Sequence, residues 1–273
     1  MAETYVRQDV SSFFPPDRDA DALVAAAWAM RGSIVRDVAR RQTLRVELDG
    51  RPYFLKRHRG VGWSELVKNW LVAKRPVVGA RNEYEACRHL QRAGLNAPRV
   101  AAFAEVDAHP AARSSFVLMD ALIDYEDLET CTLRWLEAPP DPALQRRLVM
   151  RVADFARRFH DAGVAHRDFY LCHLLLHRDP DVDLAVLDLH RALLFPAIPD
   201  RWRRRDLAAL LFSALDLPVS RLSWLRFVRC YSGRPLRQEF AARGAFWRGV
   251  YRRALKLYRK GERKGLTRGR FRE

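Results

Sequence analysis

Four side chains in this 273-residue chain occur in the order that phosphoryl transfer requires: Lys56 in YFLK, Glu83 in ARNEYEA, Asp168 in AHRD and Asp188 in AVLDL. That reaction asks little covalent chemistry of a protein. A lysine holds the donor phosphates and a carboxylate holds the lysine. One aspartate orients the acceptor hydroxyl and receives its proton, and a second grips a metal ion. Each residue also has a plainer reading. Lys56 is then an ordinary surface lysine of a basic protein. Glu83 is one charge on a solvated helix face, with Glu85 a near competitor, and Asp188 caps a turn. Against the last reading, Asp188 follows the apolar run LAVL, and a carboxylate at the mouth of a buried strand needs a partner. Asp168 has His166 and Arg167 before it and a helix that ends at Gly163. A lone H-R-D is weak, whereas four groups in order and in matching elements are specific.

Five residues after Asp168, where the kinase loop H-R-D-x-x-x-x-N carries asparagine, stands His173. Magnesium prefers oxygen ligands. His173 is therefore either a metal-site residue, acting through a bound water or a phosphate oxygen, or a packed loop histidine. Asp206, in RRRDLAALLFSAL, either anchors the H-R-D loop from a following helix or caps that helix. No G-x-G-x-x-G lies between the first strands; the stretch reads RGSIVRDVARRQTL, and the backbone and arginines of 38–41 are the candidate phosphate cover. LHR rather than FG follows Asp188, and no A-P-E-like segment comes after it. These departures speak against a eukaryotic-type protein kinase and for a small-molecule or sugar kinase of the same fold.

The elements that must position these residues are legible. SIVRDV, TLRVELDG and RPYFLKRH alternate as strands, with a turn at Asp49-Gly50 and Lys56 near the end of the third. A polar and aromatic lead-in precedes them, followed by the Ala-rich helix DADALVAAAWAM. Residues 62–76 carry Trp63, Leu66, Val67, Trp70 and Leu71 on one helical stripe, and residues 80–95 form a second helix stopped by Gly94. APRVAAFAEV and SSFVLMDAL read as a strand pair. PALQRRLVMRVADFARRFHDAGV is a long amphipathic helix, LAVLDL a strand, and the chain beyond Pro199 is helical. The expected architecture is α+β and protein-kinase-like: a small antiparallel-sheet N-lobe over 1–122 and a mainly helical C-lobe over 123–273.

Hydrophobic residues make up 49% of the chain and aromatics 11%, which suits a folded protein rather than disorder. The formal charge of +16 attracts polyanions without choosing among nucleic acid, an anionic membrane, a phosphorylated glycolipid or an acidic protein. Four widely spaced cysteines with no C-x-x-C argue against a disulfide framework and a zinc ribbon, and fit a reducing cytosol. No signal peptide and no run of about eighteen apolar residues is present, so any membrane contact is expected to be peripheral.

HRDFYLCHLLL, with YFLKRHRGVGWSELVKN, PVVGARNEY and the VLDLHRA run, resembles the lipopolysaccharide core heptose(I) kinase family of Gram-negative bacteria, from about Val35 to about Tyr231. In that family the histidine after the cysteine belongs to the pattern. The resemblance implies ATP and Mg²⁺ as cofactors, and phosphate placed on the first heptose of the inner core at the cytoplasmic face of the inner membrane. By position Asp168 is the base, Lys56 the phosphate lysine, Glu83 its partner and Asp188 the metal ligand, with His173 beside it. Met119 and Asp120, closing the SSFVLMDAL strand, complete the expected ATP-binding set. The acceptor is then an anionic glycolipid. The basic tail, with Trp247, Val250, Tyr251, Leu255 and Tyr258 at helical spacing, is either an interfacial helix or one packed on its own domain. Rival readings are a kinase acting on Kdo or a protein tyrosine, a scaffold binding an acidic protein, and a nucleic-acid-binding module. The last is not expected, since no nucleic-acid-binding signature is present.

Overall fold

The computed structural model describes residues 3–38, 41–59, 79–106, 114–179, 181–265, 267–269 and 271. The helix expected over 62–76, with Trp63 and Trp70, lies outside the described residues, as do positions 39 and 40 of the candidate phosphate cover. The chain divides into two compact units that interleave in sequence. The first comprises Met1–Arg92, Ala97–Ile123 and Asp188–Arg191; the second comprises Ala93–Asn96, Asp124–Leu187 and Ala192–Glu273.

The first unit is built on strands β1 (Thr4–Val6), β2 (Ser33–Val38), β3 (Arg41–Leu48), β4 (Arg51–His58), β5 (Val100–Val106) and β6 (Ser114–Asp120), with helices α1 (Ala20–Ala29) and α2 (Arg81–Arg92). The strands form one antiparallel sheet in the order β1-β5-β6-β4-β3-β2. Asp49 and Gly50 join β3 to β4 with φ of 48° and 70°, both left-handed, as a type I′ turn needs. That turn sets the register, with Lys56 opposite Thr43 on one side and Val117 on the other. Alternation then separates the faces. Leu44, Val46, Tyr53 and Leu55 enter a core with Leu23, Val24 and Ala27 of α1, while Arg41, Lys56 and His58 occupy the opposite face. The N-terminal lead-in is more than a lead-in. It supplies the edge strand β1 and a 3₁₀ turn over Gln8–Phe13, and it buries Val6, Val10 and Phe14 in that core. Three strand residues are too few for alternation to show in the sequence.

The second unit begins with β7 (Tyr125–Asp127) and α3 (Leu128–Leu133), followed by the long α4 (Pro142–Asp161). Asp141 caps α4 by accepting from Ala143 N, and Pro142 occupies its first turn. After α4, Gly163 has φ of 79°, and a Cβ there would lie 2.0 Å from the Phe195 carbonyl oxygen; no other residue fits. This turn leads into β8 (Val164–Ala165). Then come β9 (Leu174–His177), β10 (Ala185–Val186) and β11 (Leu193–Leu194). β9 lies between β7 and β10, and β11 pairs with β8. The strand expected over LAVLDL shrinks to Ala185–Val186, which pairs with β9 and bridges Asn96, Val186 N donating to Asn96 O at 3.0 Å.

Helices α5 (Asp200–Ala214), α6 (Arg221–Ser232) and α7 (Leu236–Glu262) complete this unit. The tail helix turns its apolar side inward. Trp247, Val250 and Tyr258 are buried, Leu255 is half-buried, and only Tyr251 of that set is exposed. Trp247 packs edge-on against Trp224 and Tyr231 of α6, so the face read as a candidate interfacial helix is used within the fold. All four cysteines are free thiols. Among the described residues no helix is long and apolar enough to cross a membrane. The architecture is the expected α+β one, an antiparallel sheet in the N-terminal part and helices in the C-terminal part.

Candidate active site

In the first unit the structure brings Lys56, Glu83 and Asp188 together. Lys56 Nζ donates to Glu83 Oε1 at 2.5 Å and lies 3.5 Å from Asp188 Oδ1. Glu83, Cys87 and Leu90 share the buried side of α2, and Tyr84 next to Glu83 stacks on Phe103 with centroids 4.1 Å apart, which fixes the helix against β5. Lys56 is 12% exposed and Glu83 2% exposed, so neither is a surface charge, whereas Glu85 is exposed and, among the described residues, pairs with Arg81. Burial alone would depress the Lys56 ammonium. The charges of Glu83 and Asp188 outweigh it and hold the pKa above its ordinary value. Burial likewise opposes the charge on Asp188, but the hydrogen bond from His190 and the charges of Lys56, His190 and Arg41 hold its carboxyl far below the usual range. His190 Nδ1 lies 2.5 Å from Asp188 Oδ1 and Arg41 Nη2 3.4 Å from it. Asp188 itself has φ of 59°, a left-handed conformation that surrounding contacts must enforce.

The second unit positions Asp168 through its backbone. Asp206, buried in the middle of α5, accepts from His166 N at 2.7 Å and Arg167 N at 2.9 Å. It is the anchor of the H-R-D loop, and the cap position of α5 belongs to Pro199. Its two bonds hold Arg167 at φ of 74°, again left-handed. His166 is fully buried, and burial pushes its pKa down. Its Nε2 bonds the Leu187 carbonyl at 2.8 Å and its Nδ1 accepts from Asp168 N at 3.3 Å, the pattern of a neutral ring protonated on Nε2. His173 Nδ1 bonds the Asp168 carbonyl at 2.7 Å, and its backbone carbonyl accepts from Leu187 N at 2.9 Å.

A magnesium ion bound with a nucleotide needs only one or two carboxylates, the phosphates and water supplying the rest. Asp188, kept ionised, fits that demand. Among the described residues no three of His, Cys, Asp or Glu converge as an all-protein cage. His173 offers no Nδ1 to a metal, because that nitrogen holds the Asp168 carbonyl.

Met119 and Asp120 end β6. Met119 is buried against Cys87, with sulfurs 4.0 Å apart. The Asp120 carboxylate takes a two-pronged ion pair from Arg7, at 2.7 and 2.9 Å, and its N–H bonds Arg99 O. The side chain of Asp120 thus ties the N-terminal segment to the strand end. His58 and His190, which sequence reasoning left unassigned, sit beside Lys56 and Asp188. Their signal was present: His58 is two residues past Lys56 on one strand face, and His190 stands in the LHR that replaces FG.

Inside the second unit lies an apolar cavity of about 510 Å³, lined among others by Leu148, Val152, Leu171, Leu210, Trp224 and Phe227. Leu171 brings the loop of Asp168 to its wall, and its named lining is apolar.

Comparison with known proteins identifies the family of the chain. The profile of the Lipopolysaccharide kinase (Kdo/WaaP) family matches residues 25–231. The chain is 46% identical to the lipopolysaccharide core heptose(I) kinase WaaP of Pseudomonas aeruginosa over 245 residues, covering 88% of this chain and 91% of that protein. It is 36% identical to the lipopolysaccharide core heptose(I) kinase WaaP of Escherichia coli K12 over 254 residues, covering 91% and 96%. The solved structure of WaaP in complex with acyl carrier protein superposes with a TM-score of 0.79 at 38% identity, over 94% of this chain and 99% of that one. With its lysine, glutamate and aspartates placed as described, the chain belongs to the lipopolysaccharide kinase (Kdo/WaaP) family, whose members are ATP-dependent phosphotransferases acting on a sugar.

Proposed function

We propose that the chain transfers the γ-phosphoryl group of ATP to a hydroxyl of the first heptose of the lipopolysaccharide inner core. The observation that carries the chemistry is the buried Lys56–Glu83 ion pair with Asp188 on the same ammonium. Lys56, kept charged and aimed by Glu83, takes the donor phosphate oxygens. Asp188 would hold Mg²⁺, whose charge would neutralise the phosphoryl oxygens as the bond to ADP breaks. Asp168 orients the acceptor hydroxyl and takes its proton as the new O–P bond forms. His173 keeps Asp168 in place through the backbone carbonyl. Met119 contributes a buried apolar wall for the base, and Asp120 secures the end of its strand through Arg7. Heptose as the acceptor is supported by the names of the relatives at 46% and 36% identity.

The test is ATP-dependent phosphate transfer to unphosphorylated inner-core lipopolysaccharide, with Asp168→Ala as control. Transfer that needs Asp168 supports the reading. Failure on heptose with transfer to Kdo, the sugar in the family's name, overturns the acceptor assignment.

The charge of +16 favours anionic partners: the glycolipid acceptor, the cytoplasmic face of the inner membrane where that acceptor is built, and an acidic protein. The relative solved with acyl carrier protein supports the last, and the apolar cavity of the second unit suits an acyl chain delivered by such a carrier. Mass spectrometry of the purified complex checks this. Recovery of the chain with no carrier and no acyl group bound, at full activity, speaks against it.

A further inference from the structure

We propose that Arg41 and His58 form a phosphate clamp, donating to nucleotide phosphoryl oxygens that the backbone amides of a glycine-rich loop take in other kinases. The inference rests on the kinase reading above and adds residues to it. Arg41 and His58 are direct cross-strand partners on β3 and β4, so both side chains project from the face that carries Lys56. His58 is 4% exposed, yet its Nε2 has no hydrogen-bond partner among the described residues, and neither does the buried Nε of Arg41. Two adjacent buried groups left unsatisfied are uncommon in a native fold and call for an unrecorded ligand. Arg41 Nε is always a donor and His58 Nε2 donates in its Nε2–H tautomer, so a ligand that presents acceptors satisfies both.

The charges around the pair select an anion. His58 is surrounded by Arg41, Lys56 and His190, and burial together with these cations pushes its pKa down to about 3. A metal cation would meet the same repulsion, whereas a phosphate oxygen relieves it. Arg41 also reaches Asp188 Oδ1 at 3.4 Å, which holds the guanidinium at the nucleotide's triphosphate end rather than over its base. The sequence RGSIVRDVARRQTL that leads into the strand of Arg41 lacks G-x-G-x-x-G, so side-chain donors have a place to serve there.

The experiment is calorimetric titration of the full-length protein with ATP, ADP and adenosine, for wild type, Arg41→Gln, Arg41→Lys and His58→Gln. Arg41→Gln and His58→Gln should each weaken ATP and ADP by about tenfold or more, while adenosine binding moves by less than about twofold. Arg41→Lys keeps the charge but loses the Nε–H donor and should fall between wild type and Arg41→Gln. Unchanged ATP affinity in both glutamine variants overturns the clamp and leaves the kinase reading standing. Equal losses of ATP and adenosine also overturn it, because a phosphate clamp is blind to a ligand without phosphate. A wild-type protein that binds no ATP sinks the kinase reading and the clamp together.

Discussion

His173 holds the backbone carbonyl of Asp168 through Nδ1 at 2.7 Å. The carbonyl can only accept, so Nδ1 carries the donated proton, and the ring stacks on His166 with centroids 5.4 Å apart and planes 15° from parallel. An imidazole here does the tethering that a side-chain amide can also do, by aiming one N–H donor at the loop.

His173→Asn is therefore expected to keep measurable transfer, with its amide taking the Asp168 carbonyl. His173→Ala loses the tether and Asp168→Ala the base, and both should fall much further. Steady-state kinetics on the lipopolysaccharide acceptor checks the ranking. An asparagine variant as inactive as Asp168→Ala would show that imidazole chemistry, not tethering, is needed.

Asp206 uses both carboxylate oxygens on one strained turn, accepting from His166 N and Arg167 N. Asn at this position can accept only one of the two bonds and leaves a buried N–H unsatisfied, a loss of about 1–3 kcal/mol. Asp206→Asn should lower kcat by up to about 10²-fold through misplacement of Asp168, with a much smaller effect on the KM for ATP. A purely structural role would lower the melting temperature and leave the kcat of the folded fraction unchanged.

How much of this was legible follows from element length. Lys56 and Glu83 could be read because β4 spans eight residues and α2 twelve, enough for period 2 and period 3.6 to show. The pairing of Arg41 with His58 was legible in principle, since the two positions are equidistant from the Asp49-Gly50 turn. What escaped was tertiary. Nothing in the spacing of Arg7 announces that it binds Asp120, because β1 has only three residues. The apolar cavity is built from side chains of α3, α4, α5 and α6 that read, one helix at a time, as ordinary core. The tail was ambiguous for the same reason, as an amphipathic face does not state whether lipid or protein covers it.

Breaking the Lys56–Glu83 pair from one side strands the other charge in a buried site. Lys56→Met should abolish transfer and destabilise the fold by about 3–5 kcal/mol. The double variant Lys56→Met/Glu83→Leu should regain most of that stability and remain inactive. Urea denaturation of the three proteins reads the difference. If the single variant is as stable as wild type, Glu83 is not held in a water-free environment.

His58 supplies the pH dependence. Its folded pKa of about 3 lies below the ordinary value of 6.5, pushed there by burial and then by Arg41, Lys56 and His190. The unfolded chain therefore binds a proton near pH 6.5 that the folded chain refuses until about pH 3. Above pH 6.5 the residue is neutral in both states and costs nothing; below it, stability falls by up to about 1.4 kcal/mol per pH unit from this residue alone. His160 and His166, fully buried and also shifted down, act in the same direction. His58→Gln keeps a polar side chain but cannot titrate, so its stability should decline less steeply between pH 6 and pH 4, by close to one proton's worth of slope. Urea midpoints at pH 7, 6, 5 and 4 for both proteins measure it. Parallel curves would mean that His58 takes up its proton in the folded protein as readily as in the unfolded one, and that the three cations around it are too well screened to matter.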